Sequence, residues 1–265
     1  MEIKKFTQAN RKAWNQAMPY HRKEMNKKWD KMFSDKNFIF QKDEELVELQ
    51  KIGIKGKNIA HLSCNNGVEL MSLKRMGAAK CVGFDISDEA VKDAKFRAEK
   101  FKINCEFVRT DVFDISEKYY GKFDLVYITV GALAWIPDLK GYFQKASQLL
   151  DKNGILFIYE HHPFAHVLPY DDEFDGELKM MHHYFNDEIY IGKDGIDYYG
   201  LTTYESEPCY EFFYTISKLI NSICQNGFCI RTFNEYERDI AIVYEYLEKS
   251  DLRLPLSYIL IATKP

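Results

Sequence analysis

Short apolar runs separated by amphipathic stretches organise the middle of this chain. Asn58–Leu62, Lys80–Asp85, Asn104–Arg109, Phe123–Val130 and Ile155–Glu160 read as strands, and Phe123–Val130 is apolar enough to be buried on both faces. Between them, Val68–Met76, Glu89–Phe101 and Asp138–Leu150 carry helical spacing. Gly77 punctuates the first helix, Ser87 offers an N-cap to the second, and Asp151-Lys152-Asn153-Gly154 reads as a turn. Strands alternating with helices of this length predict βαβ units, an α/β fold and a doubly wound, mostly parallel sheet.

The flanks depart from that rhythm. Asn10–Phe33 mixes charges with Trp14, Met18, Met25 and Trp29, which predicts helical segments that Pro19 breaks or kinks. A further helix, Asp43–Ile52, leads to Gly53 and Gly56. Residues 163–212 are rich in Tyr, Phe and acids without sustained periodicity. The alternation resumes with a helix at Phe213–Gln225, a strand near Phe228–Asn234 and a last strand at Ser257–Thr263. Asp239–Lys249 suggests a short helix, and Leu252–Ser257 a hairpin return. The expected organisation is a single domain over 1–265. It comprises an N-terminal helical cap (1–55), a ligand-binding core (56–162), an inserted cap (163–212) and a C-terminal completion of the sheet (213–265).

Composition narrows the function classes. At 46% hydrophobic and 29% charged, with both signs interspersed, the chain is that of a folded protein. A formal net charge of −4 gives no field that would draw in a polyanion, so no nucleic-acid partner is expected. The 6 cysteines form no CxxC pair and read as reduced thiols. No apolar leader opens the sequence and no run is long enough to cross a bilayer, so a cytoplasmic protein without a membrane partner is expected.

In doubly wound sheets the ligand lies beyond the carboxyl ends of the strands, at the point where strand order reverses. The first such turn reads His61-Leu62-Ser63-Cys64-Asn65-Asn66-Gly67, and the second strand ends at Asp85. An acid about 20 residues beyond the turn can accept hydrogen bonds from both ribose hydroxyls, which suits any adenosine-containing cofactor. A dinucleotide must also bring a pyrophosphate against the turn, and the side chain of Asn65 obstructs that approach. A nucleoside ligand without a phosphate escapes that obstruction, and the positive end of the following helix suits a carboxylate on it.

Over Asn58–Glu160 the chain resembles the class I, Rossmann-like, S-adenosylmethionine-dependent methyltransferases. Their first motif is an acid, any residue, then Gly-x-Gly-x-Gly; here His61 stands where the acid lies, Ser63 and Asn65 replace two glycines, and Gly67 remains. Asp85 fits the ribose-binding acid, and Arg109-Thr110-Asp111-Val112 the motif whose acid meets the adenine amino group. Phe123–Tyr127 and Leu150–Leu156 fit the fourth strand and the fifth-strand entry. A subgroup with a His-Leu-x-Cys opening, an Ala-Trp-Ile-Pro-Asp-like stretch and a Glu-x-His-Pro end to strand five is more similar still. The resemblance implies a seven-stranded sheet of order 3-2-1-4-5-7-6 with the last strand antiparallel. It also implies S-adenosylmethionine as cofactor and S-adenosylhomocysteine as product.

The cofactor is expected against His61, Ser63, Cys64, Asn65, Gly67, Asp85, Ile86, Asp111, Val112, Thr129 and Val130. Trp14, Tyr20, His21, Gly131 and Trp135 are expected in the substrate pocket, and His161 or His162 as a general base at the rim of the fifth strand. Adjacent residues alternate sides of a strand, so both histidines should not face the cleft. No metal is expected, because adjacent histidines share no face and no HExxH or Cys-His spacing accompanies them. The expected reaction is methyl transfer to an O, N or S nucleophile of a small molecule. The alternatives are a non-catalytic S-adenosylmethionine or S-adenosylhomocysteine binder and an NAD-dependent oxidoreductase. The aromatic richness of the inserted cap reads equally as pocket lining, cap core or a homodimer interface.

Overall fold

The computed structural model describes residues 3–186, 188–199, 202–241 and 243–265. Helices α1 (Ile3–Ser34) and α2 (Asp43–Ile52) precede β1 (Asn58–Leu62), α3 (Val68–Arg75), β2 (Lys80–Asp85), α4 (Asp88–Lys100), β3 (Glu106–Arg109) and β4 (Phe123–Thr129). Then come α5 (Leu139–Leu149), β5 (Leu150–His161), β6 (Ile189–Gly192), β7 (Cys209–Phe212), α6 (Ile216–Cys224), β8 (Cys229–Tyr236), α7 (Glu245–Glu248) and β9 (Ser257–Thr263). The main sheet is 7-stranded in the order β3-β2-β1-β4-β5-β9-β8. β1 to β5 pair in parallel, and β9 runs antiparallel to both β5 and β8. With the small β6-β7 hairpin of the inserted segment set aside, this is the expected order, last strand included.

Alternation along the central strands builds two cores. Val126, Ile128, Leu156 and Ile158 face Phe143 of α5 and Leu219 of α6, while Leu125, Tyr127 and Phe157 face Trp29 and Phe33 of α1, Leu49 of α2 and Met71 of α3. Burial on both faces is why these strands read as continuous apolar runs. Ser87 accepts the Ala90 N–H as the cap of α4, and Asp138 that of Gly141 at α5.

Two expectations about local structure are corrected. Pro19 does not divide the N-terminal helices, because α1 continues through it. An interior proline costs about 3 kcal/mol. Lengthwise docking offsets this, through Arg11 to Asp88, Arg22 to Asp93 and Glu89, and Lys100 of α4 to Asp30. The segment Asp151–Gly154 is not a free turn but the irregular start of β5, with Asn153 at φ 65° and a register shift opposite Phe123/Leu125.

Candidate active site at the strand tips

The loop leaving β1 keeps the backbone of a glycine-rich turn with only one of its glycines. Ser63 and Asn65 adopt φ 55° and 46°, and Gly67 follows at 73°. Asparagine tolerates this region better than serine because its short amide can bond locally. Only Gly67 is sterically obligatory: a Cβ there would stand 2.4 Å from the Phe107 ring. The thiol of Cys64 is buried against Gly83, so this residue offers the cleft its backbone alone.

Asp85 joins that loop to the tip of β2. Its carboxylate accepts the Asn65 N–H at 2.7 Å and the Ser87 N–H at 2.8 Å. Burial pushes it up to about 6, against the pull of the Ser87, Asn65 and Ile86 N–H groups. A carboxylate has about four acceptor positions, so with three N–H groups bound capacity remains for a further donor such as a ribose hydroxyl. Asp111 is placed differently from expectation. Its Oδ2 accepts the Thr7 hydroxyl at 2.7 Å and the Lys4 ammonium at 3.1 Å, and its Oδ1 accepts the Phe113 N–H. The carboxylate is thus bound by α1, whose approach the local motif could not reveal. Val112 packs into the core.

Where β1 and β4 end side by side, Nε2 of the fully buried His61 lies 3.1 Å from the Thr129 hydroxyl and 3.8 Å from Oε2 of Glu69. Its Nδ1 has no partner. Beyond Val130, Gly131 turns the chain at φ 78°. Its N–H and those of Leu133 and His161 all donate to Glu160, which ties the loop after β4 to the tip of β5.

An aromatic cover closes over the loop. Trp14 of α1 meets Trp135 at 5.2 Å and His21 at 5.9 Å, edge to face, and Tyr198 of the inserted segment packs on His21 at 4.5 Å. Trp14, His21 and Trp135 therefore converge in one aromatic cluster. Tyr20 does not join them, since it stacks on Tyr204 at 4.3 Å and holds the inserted segment instead. Tyr198 escaped sequence reasoning, because nothing periodic in the inserted segment marks which of its tyrosines returns to the sheet.

Beside this cover lies a cavity of about 50 Å³ lined by residues including Gly131, Leu133, Glu160, His161, His166 and Tyr214. Nδ1 of His161 and of His166 is buried without a partner, and the rings stand 6.0 Å apart. Burial pushes His166 down to about 3, with His161, His182 and His162 adding to the effect. His162 is not in the cavity. On the opposite side of the strand its Nδ1 accepts the Phe164 N–H, and its Nε2 lies 3.0 Å from Glu235 on β8. Among the described residues, no group of three or more His, Cys, Asp or Glu side chains could hold a metal. No helix among them is long and apolar enough to cross a membrane.

A doubly wound sheet of this order, with an acid at the β2 tip and a left-handed loop after β1, defines a nucleoside-binding protein of the Rossmann-like methyltransferase class. The methyltransferase domain family matches residues 53–202, and the chain belongs to that family. It is 29% identical over 105 residues to a ubiquinone biosynthesis O-methyltransferase of Pelagibacter ubique, covering 40% of this chain and 42% of that one. It is 36% identical over 74 residues to an rRNA N(6)-adenosine-methyltransferase of Danio rerio, covering 28% and 36%. The chain thus spans less than half the length of these curated relatives. An S-adenosylmethionine dependent methyltransferase from Mesorhizobium loti superposes with a TM-score of 0.61 at 20% identity, over 83% of this chain and 97% of that one, which shows a shared fold. S-adenosylmethionine is the cofactor of the class. The remaining acceptor capacity of Asp85 and the unpartnered Nδ1 of His61 fit it.

Proposed function

We propose that the protein transfers the methyl group of S-adenosylmethionine to a small molecule seated in the cavity beside β4 and β5. The carrying observation is the pair of buried imidazoles, His161 and His166, whose unpartnered Nδ1 atoms belong to residues lining that cavity. The small, mainly apolar lining, which includes Leu133, Phe212 and Tyr214, favours a compact acceptor over a strand of RNA or a protein surface.

When bound, the cofactor supplies an electrophilic sulfonium methyl. Asp85 and the 63–67 loop position the nucleoside, and Glu160 fixes the loop that separates donor from acceptor. Trp14, Trp135 and Tyr198 exclude water from the junction. His161 would take the proton from the acceptor's O–H, N–H or S–H, and S-adenosylmethionine would supply the methyl group that replaces it, leaving as S-adenosylhomocysteine. Most of the acceleration comes from alignment and dehydration, because the sulfonium is already reactive.

Incubation with methyl-labelled S-adenosylmethionine and size-fractionated cell extract tests this reading. Label in the low-mass fraction, lost in His161→Ala, is the expected outcome. Label confined to RNA or protein refutes the small-molecule acceptor, and stabilisation by NAD without stabilisation by S-adenosylhomocysteine refutes the donor.

A further inference from the structure

The loop after β1 has no acid at the position where the related first motif carries one, and the residue that stands there, His61, cannot replace its charge. Complete burial holds the imidazole down to about 3, so it is neutral at physiological pH. A carboxylate nevertheless reaches the same place from another element. Glu69 lies in the first turn of α3, two residues beyond Gly67, and brings Oε2 to 3.8 Å from Nε2 of His61. The Thr129 side chain, at the end of β4, hydrogen-bonds to it. The Glu69 side chain is only 19% exposed, and among the described residues no lysine or arginine pairs with it.

Of its neighbours only Thr129 offsets the charge, through that one hydrogen bond. Burial pushes Glu69 up to about 7, and the charge of Glu160 adds to the effect. Glu45 and Tyr127 lie behind it, and the tyrosines of the cover, Tyr198 and Tyr199, also lie within its field. All of these are acids or neutral groups. A buried carboxylate with no cation beside it is costly to keep, and an arriving ammonium offsets that cost. The donor carries an ammonium on its amino-acid part, next to a carboxylate that the amino end of α3 favours.

We infer that Glu69 receives the α-ammonium of S-adenosylmethionine at the seam between the β1 and β4 tips, supplying from α3 the negative charge that position 61 lacks. The assignment rests on the donor reading above. It makes Glu69 a cofactor-binding residue whose sequence signal is an acid in the first helical turn after the loop.

Calorimetric titration of wild type and Glu69→Gln with three nucleosides tests it. S-adenosylmethionine carries both sulfonium and ammonium, S-adenosylhomocysteine only the ammonium, and 5′-methylthioadenosine neither. The expected result is a loss of roughly tenfold to a hundredfold for the first two, as for a charged hydrogen bond, with methylthioadenosine unchanged. Loss for S-adenosylmethionine alone places Glu69 on the sulfonium and overturns the ammonium assignment. No loss, or equal loss for all three in a folded variant, overturns it as well. A wild-type protein that binds none of the three overturns the donor reading and the inference with it, whereas failure of the inference alone leaves wild-type binding intact. Should Glu69→Gln not fold, Glu69→Asp, which withdraws the charge by one methylene, is read by the same titrations with the same split expected.

Discussion

Replacing Gly67 by alanine measures how strictly the donor loop is built. Two costs combine at that position. The backbone stands at φ 73°, where an L-residue costs about 1–2 kcal/mol. The new Cβ would lie 2.4 Å from Cε1 and 2.5 Å from Cζ of Phe107, with Ala94 at 3.1 Å, an overpacking worth about 1–3 kcal/mol. Gly67→Ala should therefore lose roughly 2–5 kcal/mol, read as a lower urea midpoint at an unchanged slope. Ser63→Gly is the opposite case. It relieves a left-handed serine at φ 55° and returns about 0.4–1 kcal/mol of chain entropy to the unfolded state, so a net gain near 1 kcal/mol is expected. Phe107→Leu in the Gly67→Ala background separates the clash from the backbone strain, since only the clash is relieved. A Gly67→Ala protein within about 0.5 kcal/mol of wild type would refute the reasoning.

Two further outcomes follow from buried carboxylates. Glu45 accepts a hydrogen bond from Tyr127, and burial pushes it up to about 8, so the folded state holds its proton more tightly than the unfolded chain does. Its contribution to stability is fully present below the ordinary carboxylate range and is lost as pH rises through about 8; Glu45→Gln should flatten that part of the melting-temperature profile and raise stability at alkaline pH. At Asp111, Thr7→Val withdraws a buried hydroxyl donor and should cost about 1–3 kcal/mol, whereas Lys4→Ala, at a side chain 51% exposed, should cost less than about 1 kcal/mol, both read by denaturant titration.

The sheet was legible because strands buried on both faces are written as apolar runs, and the loop and Asp85 because a strand tip fixes their place. Ser63 and Asn65 looked like losses from a glycine pattern. The structure shows the pattern's backbone kept by other residues, which sequence identity alone does not encode. What remained hidden is long-range. The Asp111 carboxylate meets Thr7 over a separation of 104 residues, and Tyr198 reaches His21 and the donor loop from a segment with no period. His161 and His162 could be assigned to opposite sides of a strand, but which side held the cavity depended on α6 and the inserted hairpin. Glu69 was overlooked because a first-turn acid is also an ordinary partner of the helix dipole.

The three N–H groups gathered on Glu160 carry a consequence for how such a protein changes over time. They weld the turn after β4 to the tip of β5, so the half-sites proposed for donor and acceptor share one stiff floor. Phe212 and Tyr214, by contrast, enter from the chain at the end of the inserted segment. The walls can be rewritten for a new acceptor while the floor that aligns the transfer stays as it is.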